Sequence, residues 1–148
     1  MTRISLVEQT QQLIAPYLRP GDSAIDATAG NGYDTAFLAN TVGPHGHVYV
    51  FDLQQKALTT TKSHLATRGL NHIPVTYCLS DHQHLSQHIA ENDSLNLKAI
   101  MFNLGYLPGG DKTLTTQPGS TLIAIQSAVN LLATEGCLSI IAYPGHRA

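Results

Sequence analysis

The sequence predicts an α/β fold in which a mainly parallel sheet carries helices on both faces. Three observations lead there. Short apolar runs alternate with helical segments along the chain, the pattern of parallel strands joined by right-handed crossovers. The runs are apolar at successive positions rather than at every second one, as strands covered on both faces require. The chemistry-bearing residues fall where those runs end, and ligands of such sheets bind beyond the carboxyl ends of the strands.

The elements follow in order. Leu6, Leu13, Ile14 and Leu18 recur at helical spacing, with Ser5 as N-cap and Glu8 completing a capping box. Pro20-Gly21-Asp22 reads as a turn. Ser23 to Ala27 is a first strand, and Tyr33 to Ala39 a helix that opens from the glycine-rich loop between them. Gly43-Pro44-His45-Gly46 is a break, and His47 to Asp52 is a β-branched and aromatic second strand. Gln54 to Arg68 is helical, with Gly69 at the C′ position. Ile73 to Leu79 is a third strand, His82 to Ala90 a short helix or loop, and Leu97 to Asn103 a fourth strand. Leu104 to Gly119 is a long irregular stretch rich in Gly, Pro and Thr, and long loops in compact domains are usually functional. Thr121 to Thr134 is a helix with Leu122, Ile125, Val129 and Leu132 on its apolar side, and Gly136 to Ala142 is a fifth strand.

Composition sets the class. With 148 residues, 43% hydrophobic and 12% charged, the chain reads as one globular domain over 1–148 and not as a disordered segment. The net charge of −2 provides no global basic field to collect nucleic acid. Cys78 and Cys137 lie in strand-like runs and read as reduced thiols. There is no signal-peptide h-region and no run of transmembrane length, so a cytoplasmic protein with no membrane partner is expected.

The loop Asp26-Ala27-Thr28-Ala29-Gly30-Asn31-Gly32 carries the first chemical signal. Gly30 and Gly32 let the backbone turn tightly and approach a ligand, and the next helix points free N–H groups at it. Asp52 ends the second strand, where a carboxylate accepts from the hydroxyls of an adenosine ribose. The loop departs from G-x-G-x-x-G, because Gly32 is followed by Tyr33-Asp34-Thr35, and Asp26 would repel a phosphate. A carboxylate there suits a cationic amino-acid group, which points to S-adenosylmethionine rather than a dinucleotide. Asp81, after Leu79-Ser80, ends the third strand and is expected near the adenine.

The fourth strand ends in Asn103-Leu104-Gly105-Tyr106-Leu107-Pro108-Gly109-Gly110-Asp111-Lys112. A side-chain amide oxygen and a backbone carbonyl can orient an amine, and an aromatic ring can stack a base. Asn103 and Tyr106 are therefore the candidate catalytic residues, acting by positioning. His82, His84 and His88, and His45 with His47, have metal-binding spacings, but no carboxylate or Cys completes a site, and no metal is expected.

The glycine-rich loop with Asp34-Thr35, the stretch Asn103 to Lys112, and Tyr143-Pro144-Gly145-His146 together resemble the bacterial rRNA methylase family over nearly the whole chain. The resemblance implies a Rossmann-like class I methyltransferase with strand order 3-2-1-4-5 and S-adenosylmethionine as cofactor. It implies cofactor contacts at Asp26, Ala27, Gly30, Asn31, Gly32, Asp34, Thr35, Asp52, Leu53, Gln54, Ser80, Asp81, His82 and Asn103. On the substrate side it implies Tyr106, Pro108, Gly109, Gly110, Asp111, Lys112, Thr113, Tyr143 and His146, with Lys112 beside an RNA phosphate. Characterised members methylate the aminomethyl group of 5-aminomethyl-2-thiouridine at the tRNA wobble position, so tRNA is the expected partner. An rRNA or small-molecule methyltransferase and a non-catalytic cofactor-binding module are the alternatives. Family members continue past the Tyr143 motif, whereas this chain stops at Ala148. Strands six and seven are thus expected to be missing, leaving the fifth strand as an edge through which a homodimer could form.

Overall fold

The computed structural model describes residues 4–104 and 118–142. They form five strands, β1 (Ser23–Asp26), β2 (His47–Asp52), β3 (Val75–Leu79), β4 (Leu97–Leu104) and β5 (Cys137–Ala142), and five helices, α1 (Leu6–Ile14), α2 (Tyr33–Val42), α3 (Gln55–Thr67), α4 (Glu91–Ser94) and α5 (Pro118–Leu131). Single 3-10 turns cover Ala15–Tyr17 and His82–Gln87. The sheet has the order β3-β2-β1-β4-β5, as the family resemblance implies. Every neighbouring pair is parallel.

The order reverses between β1 and β4, which opens a crevice at their carboxyl ends. Asp26 is level with Val50 and Met101, so β2 runs two residues further, to Asp52, and β4 runs three, through Asn103 to Leu104. The loop after β1 is thereby flanked by two taller strand ends.

Alternate residues of the strands feed two cores. Ala24, Val48, Ala99 and Met101 pack with Ile14, Ala36, Ala39, Val42 and Leu65 on one face. Ile25, Tyr49, Phe51, Ile100 and Phe102 pack with Leu85, Ala124 and Ala128 on the other. A buried residue on both sides of each central strand explains why β1 reads as a continuous apolar run.

Local signals account for the helix ends. Ser5 accepts from the Glu8 N–H, capping α1. Gly69 follows α3 with φ +71, and Leu70 N–H reaches back to the Leu65 carbonyl at 2.8 Å, closing a Schellman turn. Away from the crevice, Asp93 of α4 accepts from Tyr49 Oη at 2.5 Å and faces His47 Nδ1 at 3.2 Å, tying α4 to β2.

Two helix faces differ from the sequence reading. In α1, Ile14 is buried and so is Leu18 beyond it, but Leu6 and Leu13 are exposed. In α5 the buried positions are Ala124 and Ala128, while Leu122 and Val129 face outward. The small side chains let α5 lie close against the 3-10 turn at His82–Gln87, an approach that bulky residues would prevent. Among the described residues, no helix is long and apolar enough to cross a membrane, and both cysteines are free thiols.

Candidate functional site

The crevice is built by hydrogen bonds that pin the β1–α2 loop to the strand ends beside it. Ala27 N–H donates to the Met101 carbonyl and Ala29 N–H to the Phe51 carbonyl, both at 2.9 Å. Thr28 Oγ1 accepts from Asn103 N–H at 2.7 Å, joining the loop to the end of β4. Gly30 N–H donates to Asp52 Oδ2 at 3.2 Å, joining it to the end of β2. Gly30 and Gly32 adopt φ of +57 and +89, left-handed conformations that a side chain would strain. Gly32 is also the N-cap of α2 and sits against Thr61 of α3.

Asp26 is fully buried at the end of β1. Its Oδ2 accepts from Thr35 Oγ1 at 2.6 Å, and its Oδ1 accepts from Thr28 N–H at 3.1 Å. Asp34, in the first turn of α2, is also buried and accepts from Gln11 Nε2 at 3.0 Å. Burial, with the Asp34 charge next, pushes the Asp26 carboxyl well above its ordinary range; its two hydrogen bonds pull the other way. Burial likewise raises Asp34. Neither carboxyl has an ion-pair partner among the described residues. Two desolvated acids with no cation between them form a receptor for one.

Asp52 is half-buried, and burial raises its carboxyl against the backbone bonds it receives from Gln54, Gly30 and Leu53. Its Oδ1 accepts from Gln54 N–H at 2.9 Å. A carboxylate has about four acceptor sites, so Asp52 retains capacity for ligand hydroxyls. Leu53 is half-exposed and Gln54 buried, and Ser80 N–H donates to the Asp52 carbonyl.

Asp81 caps the 3-10 turn, accepting from Gln83 N–H at 3.0 Å. His82 is 3% exposed, and both ring nitrogens meet protein groups. Nδ1 lies 3.3 Å from the Ala27 carbonyl, and Nε2 lies 3.4 Å from Thr121 Oγ1. A carbonyl can only accept, so Nδ1 carries the proton and Nε2 accepts from the threonine hydroxyl. Burial lowers the His82 pKa, consistent with a neutral ring. His82 thus clasps the cofactor loop to α5.

The structure brings together Asp26, Ala27, Gly30, Gly32, Asp34, Thr35, Asp52, Asp81, His82 and Asn103 at one end of the sheet; Asn31 is exposed on the loop. Tyr106, Pro108, Gly109, Gly110, Asp111, Lys112, Thr113, Tyr143 and His146 lie outside the described residues. Sequence reasoning passed over three participants. Thr28 stood inside the loop motif without an assigned role. Gln11 and Thr121 contact the site from α1 and α5 with no local pattern to mark them. No three metal-ligating side chains converge among the described residues.

The residues fit an S-adenosylmethionine-like ligand: an unpaired acidic pair for an amino-acid ammonium, glycines that admit the ligand to the backbone, and a ribose-type carboxylate at β2. The strand order, the switch-point crevice and this donor set define a Rossmann-like domain of the class I methyltransferase type. Residues 48–148 match the family described as "Putative rRNA methylase", and the chain belongs to that family. It is 35% identical over 136 residues to a chloroplastic tRNA (mnm(5)s(2)U34)-methyltransferase of Arabidopsis thaliana, covering 87% of this chain and 49% of that protein. The chain therefore spans about half the length of that curated relative. A solved structure described as a putative rRNA-methylase from Clostridium thermocellum is 40% identical with a TM-score of 0.83, covering 93% of this chain and 72% of the other. A putative methyltransferase from Streptococcus mutans, solved in complex with SAH, is 34% identical with a TM-score of 0.80, covering 96% and 74%.

Proposed function

We propose that this protein binds S-adenosylmethionine in the β1–β4 crevice and transfers its methyl group to RNA, at the aminomethyl nitrogen of 5-aminomethyl-2-thiouridine in the tRNA wobble position. The observation that carries the cofactor reading is the buried Asp26–Asp34 pair, which has no cation among the described residues and lies across the loop from Asp52. A dinucleotide pyrophosphate would meet two acidic side chains there, whereas an amino-acid ammonium meets a matching site. The SAH bound to the Streptococcus mutans relative and the tRNA activity named for the Arabidopsis thaliana relative support the reading.

The bound cofactor supplies an electrophilic methyl on a sulfonium, and its chemistry needs no covalent enzyme intermediate. The protein contributes placement. Asp26, Asp34 and Thr35 fix the amino-acid end, and Asp52 fixes the ribose. Asn103 is held at the end of β4 by its backbone bond to Thr28 and accepts from the substrate amine, aiming its lone pair at the methyl. Tyr106 stacks the base. As the new N–C bond forms, the S–C bond breaks, and the nitrogen then gives up a proton to solvent.

Charge distribution supports an RNA partner. Five Lys and Arg residues are described, and three of them, Lys56, Lys62 and Arg68, lie on α3 or its C-cap, where there is no Asp or Glu. A net negative chain with three of its five described cations on one helix offers a local contact for phosphates. The same reading extends to a second copy of the chain. Among the described residues β5 pairs only with β4, and Ile140 on it is exposed, so its outer edge is open to strand pairing.

The test is nucleoside mass spectrometry of tRNA incubated with the protein and methyl-labelled cofactor. Labelled 5-methylaminomethyl-2-thiouridine is the expected product, and unmodified 5-aminomethyl-2-thiouridine from a cofactor-binding protein would rule out this substrate. Light scattering over a tenfold concentration range reads the dimer, which a constant monomer mass would exclude.

A further inference from the structure

α1 reaches the crevice through one side chain. Gln11 Nε2 donates to Asp34 Oδ1 at 3.0 Å and lies 3.4 Å from the Tyr33 carbonyl. A primary amide has two N–H donors, so one side chain can serve both acceptors. Thr10 and Ile14 of the same helix are buried, which fixes the helix that presents Gln11. Asp34 itself is 6% exposed and stands where α2 begins.

We propose that Gln11 is a positioning residue of the cofactor site: it holds the Asp34 carboxylate in one orientation to receive the ammonium group of the cofactor. The inference rests on the reading above that the cofactor is S-adenosylmethionine. Asp26 has Thr35 and Thr28 as donors. Asp34 depends on Gln11, whose bond opposes the effect of burial.

The groups facing Asp34 do not substitute for that donor. Asp26 on β1, with Asp52 on β2 beyond it, is acidic. On α1 the acid Glu8 is engaged with Ser5. On α3, His64 packs against the Tyr33 ring at a centroid distance of 5.0 Å. Without Gln11, Asp34 takes up its proton at a higher pH. The neutral acid no longer attracts an ammonium, so binding fails at a higher pH as well.

The test is calorimetric titration with S-adenosylhomocysteine, which keeps the ammonium, between pH 5.5 and 8. Gln11→Met removes the donor at similar volume, Gln11→Glu adds a repelling charge, and Gln12→Met alters an exposed neighbour. Gln11→Met is expected to bind about tenfold more weakly near pH 6 and to approach wild type at pH 8. Gln11→Glu is expected to bind more weakly still, and Gln12→Met to match wild type. Carboxyl-carbon NMR of the ligand-free protein reads the same event directly, as an upward move of the Asp34 midpoint. Should the methionine variant be poorly folded by thermal melt, Gln11→Asn, too short to reach, takes its place. An unchanged pH profile, or a loss equal at every pH, overturns the proposal. Absence of binding by wild type at any pH removes the cofactor reading, and this inference with it.

Discussion

Replacing Gly32 with alanine tests how tightly the cofactor loop is wedged against α3. A Cβ at Gly32 would lie 2.9 Å from Thr61 Cα, 3.1 Å from Thr61 Oγ1 and 3.2 Å from Thr61 Cβ. Carbon atoms prefer about 3.5–4.0 Å, so α3 must retreat. It cannot do so freely, because Ala57, Leu58, Thr61 and Leu65 are all buried. Overpacking of this kind costs about 1–3 kcal/mol. The left-handed backbone adds about 1 kcal/mol for a residue with a Cβ, largely offset by the stiffer unfolded chain. The expected loss is about 1–3 kcal/mol. For a chain of 148 residues the unfolding entropy is about 0.3 kcal/mol/K, so Tm falls by about 3–10 °C. Gly21→Ala is the reference, since Gly21 has φ +92 with nothing within 4 Å of its Cβ position. It keeps the conformational terms without the collision and should melt within about 3 °C of wild type. Circular dichroism melts of both variants at pH 7.5 decide the matter. If the two melt together, the wedge against Thr61 contributes nothing and the reasoning fails.

Three further outcomes are expected. Burial and Asp34 raise the Asp26 carboxyl, and a group with a raised folded pKa contributes stability at low pH that is lost as pH rises through the folded value; Asp26→Asn should therefore raise the Tm of the ligand-free protein at pH 7.5 and flatten its pH dependence while abolishing S-adenosylhomocysteine binding, and an unchanged pH slope in melts would contradict this. His82 has the opposite sign: burial lowers its pKa, so its contribution is complete above the unfolded value and is lost as pH falls from there through the folded value. His82→Ala should cost about 2–4 kcal/mol in urea denaturation at pH 7.5, with the gap to wild type narrowing toward pH 5, and a gap constant with pH would refute the neutral clasp. Changing Lys56, Lys62 and Arg68 together to alanine should weaken tRNA binding and lower the slope of log affinity against log salt by about 2–3, with cofactor affinity intact; equal slopes would move the RNA off α3.

The sequence made β1, its loop and β2 legible because their signals are local. Gly30 and Gly32 mark a turn with positive φ, and Asp52 stands two residues past the level of Asp26 by strand register alone. The α5 face was read half correctly, since Ile125 and Leu132 pack against the core and Leu122 and Val129 do not, and the miss has a physical reason. Counting large apolar residues selects Leu122 and Val129, but a helix lying close to its neighbour buries its small residues, here Ala124 and Ala128. Gln11 was invisible because its partner lies 23 residues away, and a lone glutamine on an amphipathic helix reads as solvated surface. Asp81 shows that position at a strand end does not fix an acid's employment, since it also serves as a helix cap.

The unpaired acids at Asp26 and Asp34 bear on the protein's lifetime as well as its affinity. A ligand that brings the missing cation stabilises the fold by RT ln(1 + [L]/Kd), about 2.7 kcal/mol at a hundredfold excess over Kd. A population short of methyl donor would spend more time open to proteases. The abundance of the protein would then follow the supply of its cofactor, and because S-adenosylhomocysteine carries the same ammonium, the spent product would protect the chain while blocking its next turnover.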